Sequence, residues 1–204
     1  MKDSNKIIEV DTDHTNSDNI TITSKKSYYV LPYYSNSKFV SGKEYTAFLK
    51  SVEKEVRTSD EYAHYLGYLK GLGLDKCAFL NNIDDDMATI EFHHYPFNLY
   101  EICDIVTNYR LAKGEQVSTF NIAKEVIECH FKNIIGLVPL SKTVHELFHS
   151  GQIFINLNMV FGRFNEFVTQ YSPLFPEYIK ELNRLIDMSD NNTTYSETDI
   201  LQKK

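Results

Sequence analysis

Read for its alternation of apolar and polar positions, the chain is a series of amphipathic helical runs interrupted by short β-leaning runs and framed by polar ends. Ser41 with Glu44 forms a capping box ahead of YTAFLKSVEKEV, and Thr58 with Glu61 does the same ahead of YAHYLGYLKG, which Gly71 or Gly73 ends. KCAFLNN and MATIEFHH follow, with Asp84, Asp85 and Asp86 between them, and the pattern predicts a β-hairpin with an acidic turn. Asn98, with Glu101 at the third position, caps LYEICDIVTNYRLAKG. Ser118 starts STFNIAKEVIECHFKN, whose Ile122, Val126 and Cys129 share one face. GLVPL predicts a short strand, and Ser141 opens the helix SKTVHELFHSG, closed by Gly151. The remainder predicts a short strand and two helices broken near Pro173.

This order predicts an α+β fold, mostly helical, with small β pieces around the histidines. Residues 1–27 are polar and read as a flexible arm or loosely docked strand, 28–187 as a single domain, and 188–204 as a disordered tail. With 204 residues and 42% hydrophobic content, one domain with its own core is expected. Three scattered cysteines, Cys77, Cys103 and Cys129, each in an apolar stretch, predict buried thiols rather than a disulfide framework or a zinc knuckle. No apolar run at the start reads as a signal peptide and none later is long enough to span a membrane, so a cytoplasmic protein is expected. The formal charge of −7 disfavours a large nucleic-acid surface.

The chemistry-bearing residues are histidines. His93 and His94 end a predicted strand, where neighbours point to opposite faces unless the strand end twists. His145 and His149 stand four apart on a predicted helix and so share a face, a spacing that suits two imidazoles on one ion. His14, His64 and His130 read as structural or surface residues, His130 the nearest to the second group. The Asp84–Asp86 run reads as a turn rather than a cation site, and the pairs Tyr28-Tyr29 and Tyr33-Tyr34 as strand or packing residues rather than base-stacking platforms. Lys142, at the start of the second histidine helix, could meet a phosphate there.

Two readings of these histidines compete. His145-Glu146-Leu147-Phe148-His149 spells the H-E-x-x-H signature of zinc peptidases, with Glu146 polarising water and Glu166 as the one placeable third ligand. That reading leaves His93 and His94 without work. The second uses both groups. GLVPLSKTVHELFHSG resembles the strand-to-helix end of the HNH, or ββα-metal, endonuclease motif, and IEFHHYPF resembles its first strand. The likeness spans residues 86–151 and implies a ββα-metal core. It also implies His93, His145 and His149 as ligands of a divalent ion, magnesium or zinc, with manganese or nickel as substitutes. His94 would be the general base. Gly136 stands where that family commonly has an Asn that braces the catalytic loop, and Asn133 is the nearest substitute.

The chemistry follows from the resemblance. The ion holds a scissile phosphate oxygen and stabilises charge on the departing 3′ oxygen, while a neutral imidazole accepts a proton from water. The expectation is therefore a metal-dependent endonuclease hydrolysing DNA, of phage or mobile-element type, acting in the host cytoplasm. Its own charge grips DNA weakly, so a protein partner would supply affinity. The alternative is a non-catalytic assembly or binding protein that keeps the histidines as a structural or decayed metal site.

Overall fold

The computed structural model describes residues 7–9, 28–30, 33–35, 39, 41–80, 82–171 and 176–191. Among these, seven α-helices and two small antiparallel strand pairs make an α+β, mostly helical molecule. Helix α7 (Pro176–Asn191) continues past 187 into the expected tail, the rest of which lies outside the described residues. Ser189 on that extension accepts from Asn156 Nδ2 through its carbonyl and from Leu157 N–H through its hydroxyl. In the expected arm, β1 (Ile7–Glu9) pairs with β2 (Tyr28–Val30), and the rest of the arm lies outside the described residues.

Four helices carry the main core. In α1 (Gly42–Thr58), Phe48, Leu49, Val52 and Val56 are buried, which is the spacing of one helix face. In α2 (Asp60–Gly71) the buried residues are Tyr62, Tyr65 and Leu69. Helices α3 (Leu99–Ala112) and α4 (Thr119–Phe131) pack on α1 and on each other. Both begin with reciprocal caps: Asn98 with Glu101, and Ser118 with Asn121. The cap of α2 is one residue later than expected. Ser59 accepts from Tyr62 N–H, whereas the Thr58 hydroxyl turns back to the Lys54 carbonyl. Tyr34 pairs with Val117 and stacks on Phe39, a packing role as expected.

The expected hairpin does not form. Strand β3 (Ile90–His94) pairs instead with β4 (Leu137–Ser141), which comes after α3 and α4, in the register Glu91 opposite Leu140, His93 opposite Val138 and His94 opposite Leu137. All of β4 is buried, so it needs neighbours on every side. The segment from Cys77 supplies one of them: Ala78 N–H donates to the Pro139 carbonyl at 2.8 Å. The aspartate segment is a turn, with Met87 and Ala88 N–H both donating to the Asp84 carbonyl. All three cysteines are buried free thiols.

Helix α5 (Lys142–His149) leaves β4 directly and packs on both strands. Ser141 is its N-cap by backbone position, without a side-chain capping bond. Gly151, at φ +69°, ends it with N–H to the Phe148 carbonyl, a left-handed position that glycine takes without strain. Val144 is the one fully buried residue of α5. It joins Val138, Leu140 and Tyr95 in a second, smaller apolar cluster beneath the sheet. The region expected to hold a strand after α5 forms a 3-10 turn at Leu157–Met159, and Phe161 bridges Leu137. Helix α6 (Phe164–Tyr171) and α7 are the last elements among the described residues.

Candidate metal centre

Strand periodicity decides what each histidine faces. Glu91 and His93 lie on one side of β3, with their cross-strand partners Leu140 and Val138 in the small cluster under α5. Phe92 and His94 lie on the other, toward the main core, as does Leu137 opposite His94. Regular pairing runs through His94, so the strand end does not twist to bring both imidazoles to one place.

His93 meets the helix pair. Its Nδ1 lies 2.9 Å from His145 Nε2, and His149 Nε2 lies 2.9 Å from the same nitrogen. One ligating atom from each of the three falls within 4.8 Å of the others, and among the described residues this is the group of that kind. Behind His145, the Glu91 carboxylate lies 2.5 Å from Nδ1. A carboxylate only accepts, so Nδ1–H donates to it, and in that tautomer the Nε2 lone pair faces the two other imidazoles. That one lone pair can take one good hydrogen bond, yet two ring nitrogens aim at it. Three lone pairs around a cation satisfy this arrangement better than hydrogen bonds do. Tetrahedral ligation at about 2.0–2.1 Å would set the nitrogens about 3.3 Å apart, a few tenths beyond the two contacts at 2.9 Å. Burial, then the neighbouring His145 and His149, lowers the His93 pKa to about 4, so it is neutral and competent to ligate near pH 7.

His94 is elsewhere. It is 5% exposed, and its Nε2 lies 3.0 Å from His130 Nε2 and 3.5 Å from the Tyr62 hydroxyl. His130 Nδ1 donates to the Val126 carbonyl at 2.7 Å, so His130 Nε2 is the acceptor and His94 Nε2–H the donor. Burial drives the pKa of His94 well below its ordinary value, with His130 adding to the effect. The expected solvent-facing base beside the ligands is therefore not where His94 lies. His130, read from the sequence as structural or surface, is a core residue, and its pairing with His94 was not legible there. Glu91 was missed, although its two-residue offset from His93 on a strand puts both on one face.

The peptidase arrangement is also not assembled. Glu146 is exposed on α5, and Glu166, exposed on α6, pairs with Arg163 at 3.1 Å. The third imidazole comes from upstream, from His93. Gly136 has its own reason: a Cβ there would lie 2.0 Å from the Tyr95 carbonyl oxygen. Close backbone approach fixes glycine, and an asparagine has no room. Asn133, at φ +54°, accepts from the Tyr65 hydroxyl at 3.1 Å, and its carbonyl accepts from Arg163 N–H. His64 and Lys142 are exposed, and His14 lies outside the described residues.

A family model described as Bacteriophage G278-like virion protein matches residues 1–204. The chain belongs to that family. The likeness to HNH endonucleases, carried by residues 86–151, is corrected by this match over the whole chain. A buried strand, a turn, a short helix with histidines one turn apart and a terminal glycine are local devices that unrelated folds can share. The expected phage origin agrees with the family. Neither a curated protein nor a solved structure matches the chain. No helix among the described residues is long and apolar enough to cross a membrane.

Proposed function

We propose that this chain is a structural or assembly component of the phage particle, in which His93, His145 and His149 hold a divalent ion that pins α5 to the β3–β4 pair. The observation that carries this reading is the split between adjacent histidines. His93 joins a cluster of ligand type, while His94, the side chain a hydrolytic mechanism would use as base, is turned into the core. The position of the cluster supports the same role. It links segments 52 residues apart, and it holds down a helix whose fully buried contact is Val144 alone. An ion there contributes to folding, because its ligands come together only in the native chain. The family supports residence in the particle, with neighbouring virion proteins as partners, in place of action in the host cytoplasm. The charge of −7 argues against DNA as the main partner.

The test is twofold. Mass spectrometry of purified particles should find the chain in fixed stoichiometry. The isolated protein, loaded with zinc, magnesium or manganese, should leave supercoiled plasmid uncut. Absence from particles, together with nicking that His145→Ala abolishes, would replace this reading with a catalytic one.

A further inference from the structure

We infer that the centre selects a zinc-type ion over magnesium and leaves one coordination position open to an added donor. This rests on the proposed structural role and gives it a mechanism. The donor set decides the metal. All three candidate ligands are imidazole nitrogens, and the nearest carboxylate, Glu91, is occupied as the acceptor of His145 Nδ1–H. Magnesium takes oxygen donors in octahedral geometry and keeps its waters, whereas zinc takes neutral imidazoles in tetrahedral geometry. The Glu91 contact fixes the tautomer and raises the basicity of His145, which strengthens a bond to a borderline-soft ion.

The count decides the open position. Structural zinc sites are normally four-coordinate and closed. Among the described residues the group has three members, with no fourth His, Cys, Asp or Glu. The three are graded in exposure: His93 is buried, His145 half-buried and His149 exposed. The cluster therefore reaches the surface at the end of α5, where His149 stands beside exposed Ser150 and Gly151. A fourth donor approaching there meets solvent rather than packed protein. An exogenous imidazole or azide can therefore enter that position without moving the other three ligands.

The experiment uses the full chain, stripped with chelator and refilled. Zinc and cobalt(II) should raise the melting temperature at micromolar concentration, and magnesium should do so only at concentrations at least a hundredfold higher. Cobalt(II) should give the visible spectrum of a four- or five-coordinate nitrogen site, and added azide or imidazole should shift it. His149→Ala, at an exposed position where folding is safe, should lower affinity for zinc at least tenfold. Glu91→Gln should lower it about 10–100-fold. Magnesium binding as tightly as zinc overturns the metal assignment. Cobalt bound with a spectrum that neither azide nor imidazole moves overturns the open position alone. No stabilisation by any of the three ions removes the structural metal role as well.

Discussion

His93 and His94 are bonded neighbours whose ring nitrogens belong to different networks: His93 Nδ1 lies 2.9 Å from His145 Nε2, and His94 Nε2 lies 3.0 Å from His130 Nε2. The strand thus acts as a partition. One face carries candidate ligands toward α5, and the other carries a neutral donor–acceptor pair into the helical core. The consequences of each side can be measured separately.

The core pair predicts a stability that depends on pH in one direction. Burial lowers the pKa of His130 to about 4 and that of His94 well below its ordinary value, so both are neutral in the fold and protonate readily when unfolded. Below about pH 6.5 the unfolded chain binds more protons than the native one, and stability falls as pH falls toward 4. Each such imidazole adds up to about 1.4 kcal/mol per pH unit in that window. Urea denaturation in chelator between pH 4.5 and 7.5 should show this slope. A paired His94→Phe, His130→Leu variant should flatten it, with His93 left as the remaining buried contributor. An equal slope in the variant would mean that the pair is not neutral in the fold.

Gly136 predicts a steric lesion. Tyr95 N–H donates to the Gly136 carbonyl at 3.0 Å, and the Tyr95 carbonyl oxygen occupies the space a Cβ would need. Gly136→Ala should cost on the order of 2–4 kcal/mol, in the range of forced backbone shifts. Gly136→Asn should cost at least as much, and neither should gain any activity. A denaturation midpoint unchanged in Gly136→Ala would show that the two backbones separate freely.

These two cases show what the sequence discloses and what it hides. The caps at Asn98 and Ser118 were legible because they are completed within three residues. The shared face of His145 and His149 was legible from helical spacing alone. The partner of β3 was not: alternation reports which face a residue takes, never which strand lies alongside, and β4 arrives only after two helices. Gly136 looked like a missing asparagine because its reason is a contact with Tyr95, some forty residues earlier, which no local pattern records. The His94–His130 pair is hidden for the same reason. Glu91 was within reach, since a carboxylate two residues before a strand histidine shares its face.

Asp104 predicts a different stability effect. Its carboxylate accepts from the Tyr45 hydroxyl at 2.6 Å, the Tyr178 hydroxyl at 2.5 Å and Asn108 Nδ2 at 2.8 Å, tying α1 and α7 to α3. Asp104→Ala leaves two half-buried phenols without this acceptor and should cost on the order of 2–3 kcal/mol. Tyr178→Phe, which removes one of the three donors, should cost about 1 kcal/mol. Thermal denaturation checks both. Equal losses in the two variants would mean that Tyr178 carries the whole link.

The ligand face predicts linkage between metal and stability, with a pattern across variants that separates the competing chemistries. An ion bound only by the native chain stabilises it by about 2.7 kcal/mol when present at one hundred times its dissociation constant. For a chain of this size that is roughly 5–10 °C in melting temperature, at about 2–4 °C per kcal/mol. Chelator should remove this increment from the zinc-loaded protein. His145→Ala should melt near the chelated value, with or without zinc, because its nitrogen is common to both 2.9 Å contacts. Glu146→Gln should keep the full chelator response, since that side chain is exposed on α5 and outside the ligand group. His94→Gln should be destabilised through its core contacts yet keep the chelator-dependent difference, because its imidazole faces His130. Loss of the zinc response in Glu146→Gln would return Glu146 to the centre and favour peptidase geometry. Loss of it in His94→Gln, with the fold intact by circular dichroism, would mean that the two faces of β3 are not independent.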